Sequence, residues 1–349
     1  MNLRWQAEWE KQDAVWLSWP HRDDTWLDHS LNESDSVIHD FVKLTSLLSR
    51  FQTVKINAAK NLHATIETAF KDADCPLGNI QLYPHSTNDV WCRDHGSTFV
   101  SNESLKQMNG IDWHYNAWGG KFPPWELDDA IAKQMADATN SSHYRSPLHL
   151  EGGAIEGNGN GIVITTEAVA LNPNRNPKWS KSDVEAELKK TLGASTIFWL
   201  PTGIEGDDTD GHVDDLTRFI KEDAIVTAIE KNSSSPNYQT LEQNKEILQD
   251  LHTRSGSNVE IIDLPMPDPI RQKNWRLDHL PASYANFLII NHAVIVPTFG
   301  QHKNDNQALG ILRECFPHRE VIGFDSRNFI IEGGAIHCLT QQQPSIQSS

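Results

Sequence analysis

Glu151-Gly152-Gly153-Ala154-Ile155 and Glu332-Gly333-Gly334-Ala335-Ile336 are the same five residues written twice in one chain. An identity repeated at such a distance predicts one strand module used more than once around a pseudo-symmetric fold. Outward from the first copy, Ile162-Val163-Ile164-Thr165-Thr166 follows across a Gly/Asn turn, which predicts a hairpin. Ser182-Asp183-Val184-Glu185 reads as the capping box of a helix that stops at Gly193. Toward the start, Ala14-Val15-Trp16-Leu17-Ser18-Trp19 is short, apolar and closed by Pro20, as a buried strand is. Residues 34–51 carry Val37, Ile38, Phe41, Leu44, Leu47 and Leu48 at helical spacing, residues 52–57 read as a strand, and residues 62–70 as a helix. Further on, residues 126–138, 238–252 and 304–316 are predicted helices. Residues 224–229 form a predicted strand, and residues 286–290 with 293–297 a buried hairpin. Strands and helices in alternation predict an α/β architecture. No low-complexity linker divides the chain, so a single domain over residues 1–349 is expected, with a Ser/Gln tail loose in solvent from about 344 to 349.

The chain has 349 residues, 38% of them hydrophobic, enough to bury a large core. Its 47 acidic residues against 30 basic ones give a net charge of −17, which excludes a nucleic-acid partner and favours a cationic or neutral ligand. The residues after Met1 form no apolar signal core, and no run approaches the roughly 20 apolar residues of a membrane span. A soluble, cytoplasmic protein with no membrane partner is expected. Cys75, Cys92, Cys315 and Cys338 show no C-x-x-C spacing and the histidines no metal-ligand spacing, so neither a disulfide framework nor a metal site is predicted.

Chemistry gathers first at Gly211-His212-Val213-Asp214-Asp215-Leu216-Thr217. In an extended strand His212 and Asp214 share a face, so a base and a carboxylate would meet one small volume. Read alone, the stretch is more readily a polar strand end with one histidine satisfied by a neighbour. The reading changes if Asp94, Glu151 and Cys338 arrive at the same place, each at the end of its own strand. A thiolate is the strongest side-chain nucleophile at neutral pH, and histidine serves as acid and base in turn. Flanking carboxylates would raise a thiol's pKa and repel an oxyanion, so they suit an electrophile that is itself a cation. A planar guanidinium pairs with carboxylates bidentately, and its charge favours the thiolate. Cys92 and Cys315 read as packing residues, and His337 as a structural residue on the opposite side of the strand from Cys338. Trp91 stands three residues before Asp94 and is either core or substrate contact. The Trp/Gly/Pro-rich stretch 115–125, which includes Trp118, is expected to be irregular and to form an aromatic wall or a lid. The loop Gly206-Asp207-Asp208-Thr209-Asp210-Gly211 contains three aspartates and no Lys or Arg. It predicts an ammonium contact at Asp208, with Asp207 as its understudy.

Several stretches together resemble the agmatine deiminases of the guanidine-modifying superfamily. They are Trp16-Leu17-Ser18-Trp19-Pro20-His21, Trp91-Cys92-Arg93-Asp94-His95-Gly96-Ser97-Thr98-Phe99-Val100, Leu150-Glu151-Gly152-Gly153, Asn172-Pro173-Asn174-Arg175-Asn176-Pro177, Gly211-His212-Val213-Asp214 and Ile336-His337-Cys338-Leu339-Thr340-Gln341-Gln342. The resemblance implies a closed, pseudo-fivefold α/β propeller of ββαβ-type modules around an axial site. It implies Cys338 as nucleophile, His212 as general acid/base, Asp94 and Asp214 as the guanidinium clamp, and Glu151 as a carboxylate orienting the same centre. No cofactor or metal is implied. The substrate is agmatine, the products N-carbamoylputrescine and ammonia, and assembly as homodimers or larger is implied as well. Within the same superfamily a deiminase or amidinotransferase acting on arginine or peptidyl arginine is the alternative, and a catalytically silent polyamine-binding protein is another. The chain departs from the pattern at His95 and Ser97 around the clamp aspartate, and at Glu332, where a glycine is common.

Overall fold

The structure, a computed structural model, describes residues 3–22, 26, 36–102, 104–272 and 279–346. Its strands fall into five separate sheets built on one plan. In the first, Thr98–Asn102 is antiparallel to Gln107–His114, which is parallel to Ser142–His149 across the helix Ile131–Ala138. The order recurs in Ile155–Gly157, Ile162–Thr166 and Thr196–Leu200 with the helix Lys181–Leu192. It recurs again in Thr217–Lys221, Ala224–Ile229 and Glu260–Pro265 with Tyr238–Leu248, and in Leu288–Ile290, Ala293–Thr298 and Glu320–Asp325 with His302–Cys315. The fifth sheet joins distant parts of the chain: Thr340–Pro344 is antiparallel to Gln12–Ser18, which is parallel to Thr53–Asn57 across Val37–Ser49, with Ile80–Tyr83 beyond. Antiparallel neighbours need only a tight turn, whereas parallel neighbours need a crossover, and that difference writes the module. The middle strands Ala224–Ile229 and Ala293–Thr298 are covered on both faces, which explains their nearly unbroken apolar sequence.

The α/β architecture and the ββαβ unit agree with the sequence. The closed propeller is seen only as five separate sheets, and among the described residues no sheet closes on itself. The repeated pentapeptide is not the source of the repetition. Glu151 precedes one 3-10 turn, Gly152–Ala154, and Ile155 already opens a strand. Ile336 instead opens the one-turn helix Ile336–Leu339, and its strand starts at Thr340. The modules recur, but the two copies of the pentapeptide sit at different places in them.

Helix ends move by a few residues. Ser36 caps Val37–Ser49 by accepting from the His39 N–H, and Ser34 lies outside the described residues, as do Asp23 and Asp24 of the loop after Pro20. The capping box is formed by Ser180 and Asp183, two residues earlier than expected, because each side chain reaches the other's backbone N–H from there. Gly193, at φ +68, ends that helix as predicted. The loose tail is corrected at its start: Pro344 belongs to a strand, and Ser345 donates to the Lys11 carbonyl (2.8 Å) and accepts from Gln6 Nε2 (3.0 Å). Residues 347–349 lie outside the described residues. Among the described residues no helix is long and apolar enough to cross a membrane.

Candidate active site

In every module the first strand is entered through one turn, and each of these turns carries a polar side chain. Cys92–His95 holds Asp94 before Thr98–Asn102; Glu151 and Gly152–Ala154 precede Ile155–Gly157; His212 and Val213–Asp215 precede Thr217–Lys221. Asn286 follows a turn closed onto Ser283 and leads to Leu288–Ile290, and Ile336–Leu339 holds Cys338 before Thr340–Pro344. The sequence placed these residues at the ends of strands. Asp94, Asp214 and Cys338 sit within helical turns leading into strands, and Glu151 and His212 on the extended residue just before such a turn, so that a tight backbone aims these side chains at one centre.

Neighbouring turns are linked in cyclic order. Gly153 N–H donates to Asp94 Oδ1 (3.1 Å), and His212 Nε2 lies 3.5 Å from Glu151 Oε2. Asn286 Nδ2 donates to Asp215 Oδ1 (3.0 Å), and its Oδ1 accepts from the His337 N–H (3.0 Å). Arg93 Nε then donates to the His337 carbonyl (3.3 Å), which returns to the turn of Asp94.

Asp94, Glu151, His212, Asp214 and Cys338 are all buried and face one volume. A Cβ added to Gly153 would lie 2.6 Å from His212 Nδ1, 2.9 Å from Asp94 Oδ1 and 3.1 Å from Asp214 Oδ2, so glycine is required where these groups converge. Cys338 Sγ lies 3.7 Å from Asp214 Oδ2 and 3.0 Å from Asn286 Nδ2. His212 Nδ1 is 3.6 Å from Asp94 Oδ1; this and the Glu151 contact are ion pairs too long to be good hydrogen bonds. Both His212 nitrogens and Asp214 Oδ1 are buried without a hydrogen-bond partner. Such groups carry a large desolvation penalty unless a ligand meets them.

The charges set one another. Burial alone would lower the pKa of His212, but Asp94, Glu151 and Asp214 outweigh it and lift the imidazole to about 10, so it is cationic at neutral pH. Burial lifts Asp94 to about 7, aided by Asp214 and Glu151 and opposed by His212. Burial would raise Glu151 too, yet Arg175 and His212 hold it at about 2. Burial, with Asp214, Asp215 and Asp94 nearby, pushes the Cys338 thiol well above its ordinary value. Two other thiols fit packing roles: Cys92 is buried and pushed up to about 12, and Cys315 is pushed to about 11 by burial. Of the positions that depart from the family pattern, burial makes His95 a neutral group at about 3, with Nε2 bonded to Ser18 Oγ (2.9 Å).

Other predicted residues are placed as follows. His337 lies on a helical turn rather than on the back of a strand; it is bonded through Nδ1 to Asp214 Oδ2 (2.7 Å) and through Nε2 to Glu8 Oε2 (2.9 Å). Trp118 donates Nε1–H to Asp94 Oδ2 (3.0 Å), and Trp91 packs beside Cys338, with both reaching the space over Gly334. The Trp118 turn is irregular, as expected, with positive φ at Ala117, Trp118, Gly119 and Gly120. Two aspartates of the acidic loop are already used within the fold. Asp207 spends Oδ1 on Thr209 and Oδ2 on the His212 N–H (3.0 Å), so it shapes the loop instead of awaiting a ligand. Asp210 is paired with Lys121 (2.7 Å) and Arg175 (2.7 Å), cations that a local reading of the loop does not contain. The Asp208 carbonyl accepts from Lys121 Nζ (2.6 Å).

Three residues escaped the sequence reading. Asn286 holds Cys338, Arg175 joins Glu151 to Asp210, and Glu8 receives His337 and Arg218 (2.8 Å) beneath the site. Arg175 lies in one of the quoted motifs but stood there without a role. Among the described residues, one group has metal-ligand spacing, Asp214, Asp215 and Cys338, and Asn286 Nδ2 already joins Asp215 to the Cys338 sulfur.

Residues 4–344 match the family model of Porphyromonas-type peptidyl-arginine deiminases. An agmatine deiminase of Medicago truncatula is 35% identical over 97% of this chain and 96% of its own. The solved agmatine deiminase of Enterococcus faecalis superposes with a TM-score of 0.91 at 30% identity, covering 99% of this chain and 97% of that one. A cysteine-to-serine variant of the C. jejuni agmatine deiminase with substrate bound gives a TM-score of 0.86 at 31% identity over 98% and 96% of the two chains. The chain therefore belongs to the Porphyromonas-type peptidyl-arginine deiminase family.

Proposed function

We propose that this protein is an agmatine deiminase, converting agmatine and water to N-carbamoylputrescine and ammonia through a covalent cysteine adduct. The observation that carries the reading is the buried cluster of Asp94, Glu151 and Asp214 around His212 beside the Cys338 sulfur. Such a site repels an anionic reactant and stabilises a planar cation. Asp94 and Asp214 clamp the guanidinium, whose charge offsets theirs and favours the Cys338 thiolate. Sγ attacks the guanidine carbon, the carbon–nitrogen bond breaks, and His212 gives its proton to the departing ammonia. Neutral His212 then takes a proton from water, which attacks the thiouronium carbon and releases the thiolate. Glu151 keeps His212 in place and cationic. Trp91 and Trp118 wall the site, and Asp208, on the loop leading to His212, receives the ammonium at the far end. A pseudo-fivefold closure of the five modules around this site belongs to the same proposal, and the links between the turns in cyclic order support it.

The test measures ammonia and ureido product from agmatine and from arginine. Agmatine should be strongly preferred, and Cys338→Ser should abolish turnover while Cys92→Ser and Cys315→Ser keep most of it. Better wild-type turnover of arginine would overturn the substrate assignment. Asp208→Asn should weaken agmatine turnover by about 1.5–3 kcal/mol in kcat/KM, the worth of a hydrogen bond to a charged group.

A further inference from the structure

The cluster that suits a guanidinium is hostile to a thiolate. Before any substrate arrives, Cys338 Sγ has the Asp214 carboxylate at 3.7 Å, and Asp215 belongs to the same compact group. The sulfur therefore needs a donor from the protein. His212 faces Asp94 and Glu151, and its nitrogens have no hydrogen-bond partner. The Asn286 amide does reach the sulfur: Nδ2 lies 3.0 Å from Sγ. Its oxygen is the acceptor for the backbone N–H of both His337 (3.0 Å) and Cys338 (3.3 Å), which fixes the direction in which the NH2 group points. The second amide proton is used by Asp215 Oδ1 (3.0 Å), so every polar atom of this fully buried side chain is committed. Asn286 sits at the mouth of the fourth module, in the position that supplies Asp94, Glu151 and His212 elsewhere.

We propose that Asn286 is a catalytic residue, whose side-chain amide donates to Cys338 Sγ and stabilises the thiolate while its carbonyl holds the backbone of the same turn. This rests on Cys338 being the nucleophile, as proposed above. A hydrogen bond to an anion is markedly stronger than one to its neutral form, so the amide shifts the thiol equilibrium toward the reactive species. The carbonyl bonds add a second effect, because they stop the helical turn from rotating the sulfur away.

The experiment reads the thiol directly, without substrate. Alkylation of the whole protein by iodoacetamide is followed across pH by mass spectrometry of the Cys338 peptide, for wild type, Asn286→Ala and Asn286→Leu. Both variants should move the midpoint of the alkylation profile upward by about one pH unit and slow alkylation at neutral pH about tenfold. A turn that had merely loosened would expose the sulfur and speed alkylation, the opposite result. An unchanged midpoint, or faster alkylation, in the two variants overturns the proposal. Parallel agmatine assays keep the two readings apart: a wild type that alkylates at Cys338 but releases no ureido product overturns the substrate assignment and leaves the role of Asn286 standing.

Discussion

At the scale of the residue, the site is a set of titrating groups each moved off its ordinary value by burial and by the others. Asp94 is the one with a consequence in the neutral range. Lifted to about 7 by burial and by its acidic neighbours, it is about half protonated at neutral pH, and only the carboxylate can grip a guanidinium. The profile of kcat/KM for agmatine, which reports the free enzyme, should thus rise with pH through a midpoint near 7. The bound cation favours the ionised form, so the midpoint in kcat should fall at lower pH. An acid limb in kcat/KM near 4 would show that Asp94 is not the group that must ionise. The identities of these residues were legible in the sequence through the motifs around Cys338, His212, Asp94, Asp214 and Glu151. Asn286 was not, because an asparagine before an apolar strand carries no local sign that its amide meets a sulfur 52 residues away.

At the scale of the element, loops are locked by charges that come from elsewhere in the chain. Arg175, with a fully buried side chain, donates Nε–H to Glu151 Oε1 (2.7 Å), Nη1–H to Asp210 Oδ2 (2.7 Å) and Nη2–H to the Thr209 carbonyl (2.8 Å). One guanidinium thereby ties the loop of residues 172–177 to the loop before His212 and to the carboxylate beside it. Arg175→Met leaves Glu151 buried and without its main cationic partner, a change that costs about 3–5 kcal/mol when one member of a buried pair is removed. Denaturant unfolding should show that loss, together with lower agmatine turnover. The pair Arg175→Met with Glu151→Gln should recover much of the stability, since the stranded charge is gone, but not the turnover. Equal stability of Arg175→Met and wild type would sink the account. This is where a linear reading fell short: the loop of residues 206–211 contains three aspartates and no Lys or Arg, whereas Lys121 and Arg175 neutralise Asp210 from other loops. The strand and helix pattern was readable because it depends on neighbours in sequence; loop electrostatics depend on neighbours in space.

At the scale of the whole molecule, the net charge of −17 surrounds a site for a small cation. Such a field concentrates a cationic substrate and speeds its encounter, and salt removes the effect, since the screening length shrinks from about 30 Å at about 0.01 M to about 3 Å at about 1 M. Over that range kcat/KM for agmatine should fall several-fold while kcat stays nearly constant, because the buried charges at the reacting centre are screened far less. A kcat/KM indifferent to salt would mean that the outer charge has no part in capture. The five-module plan was also only partly legible. The pentapeptide pointed to repetition, but the recurring feature is geometric, a helical turn ahead of an antiparallel strand, and it is written in different residues each time.

The fifth sheet couples Cys338, the proposed nucleophile, to the order in which the chain is made. Gln12–Ser18 is made long before its antiparallel partner Thr340–Pro344 and the adjoining turn with Cys338, which lie far along the chain from it. At about 5–20 residues per second, tens of seconds separate the two during synthesis. Throughout that interval the growing polypeptide can assemble modules one to four and their carboxylates but contains no thiol at their centre. On the proposed mechanism the reacting centre is therefore complete only once Thr340–Pro344 docks beside Gln12–Ser18 and the adjoining turn brings in the Cys338 sulfur.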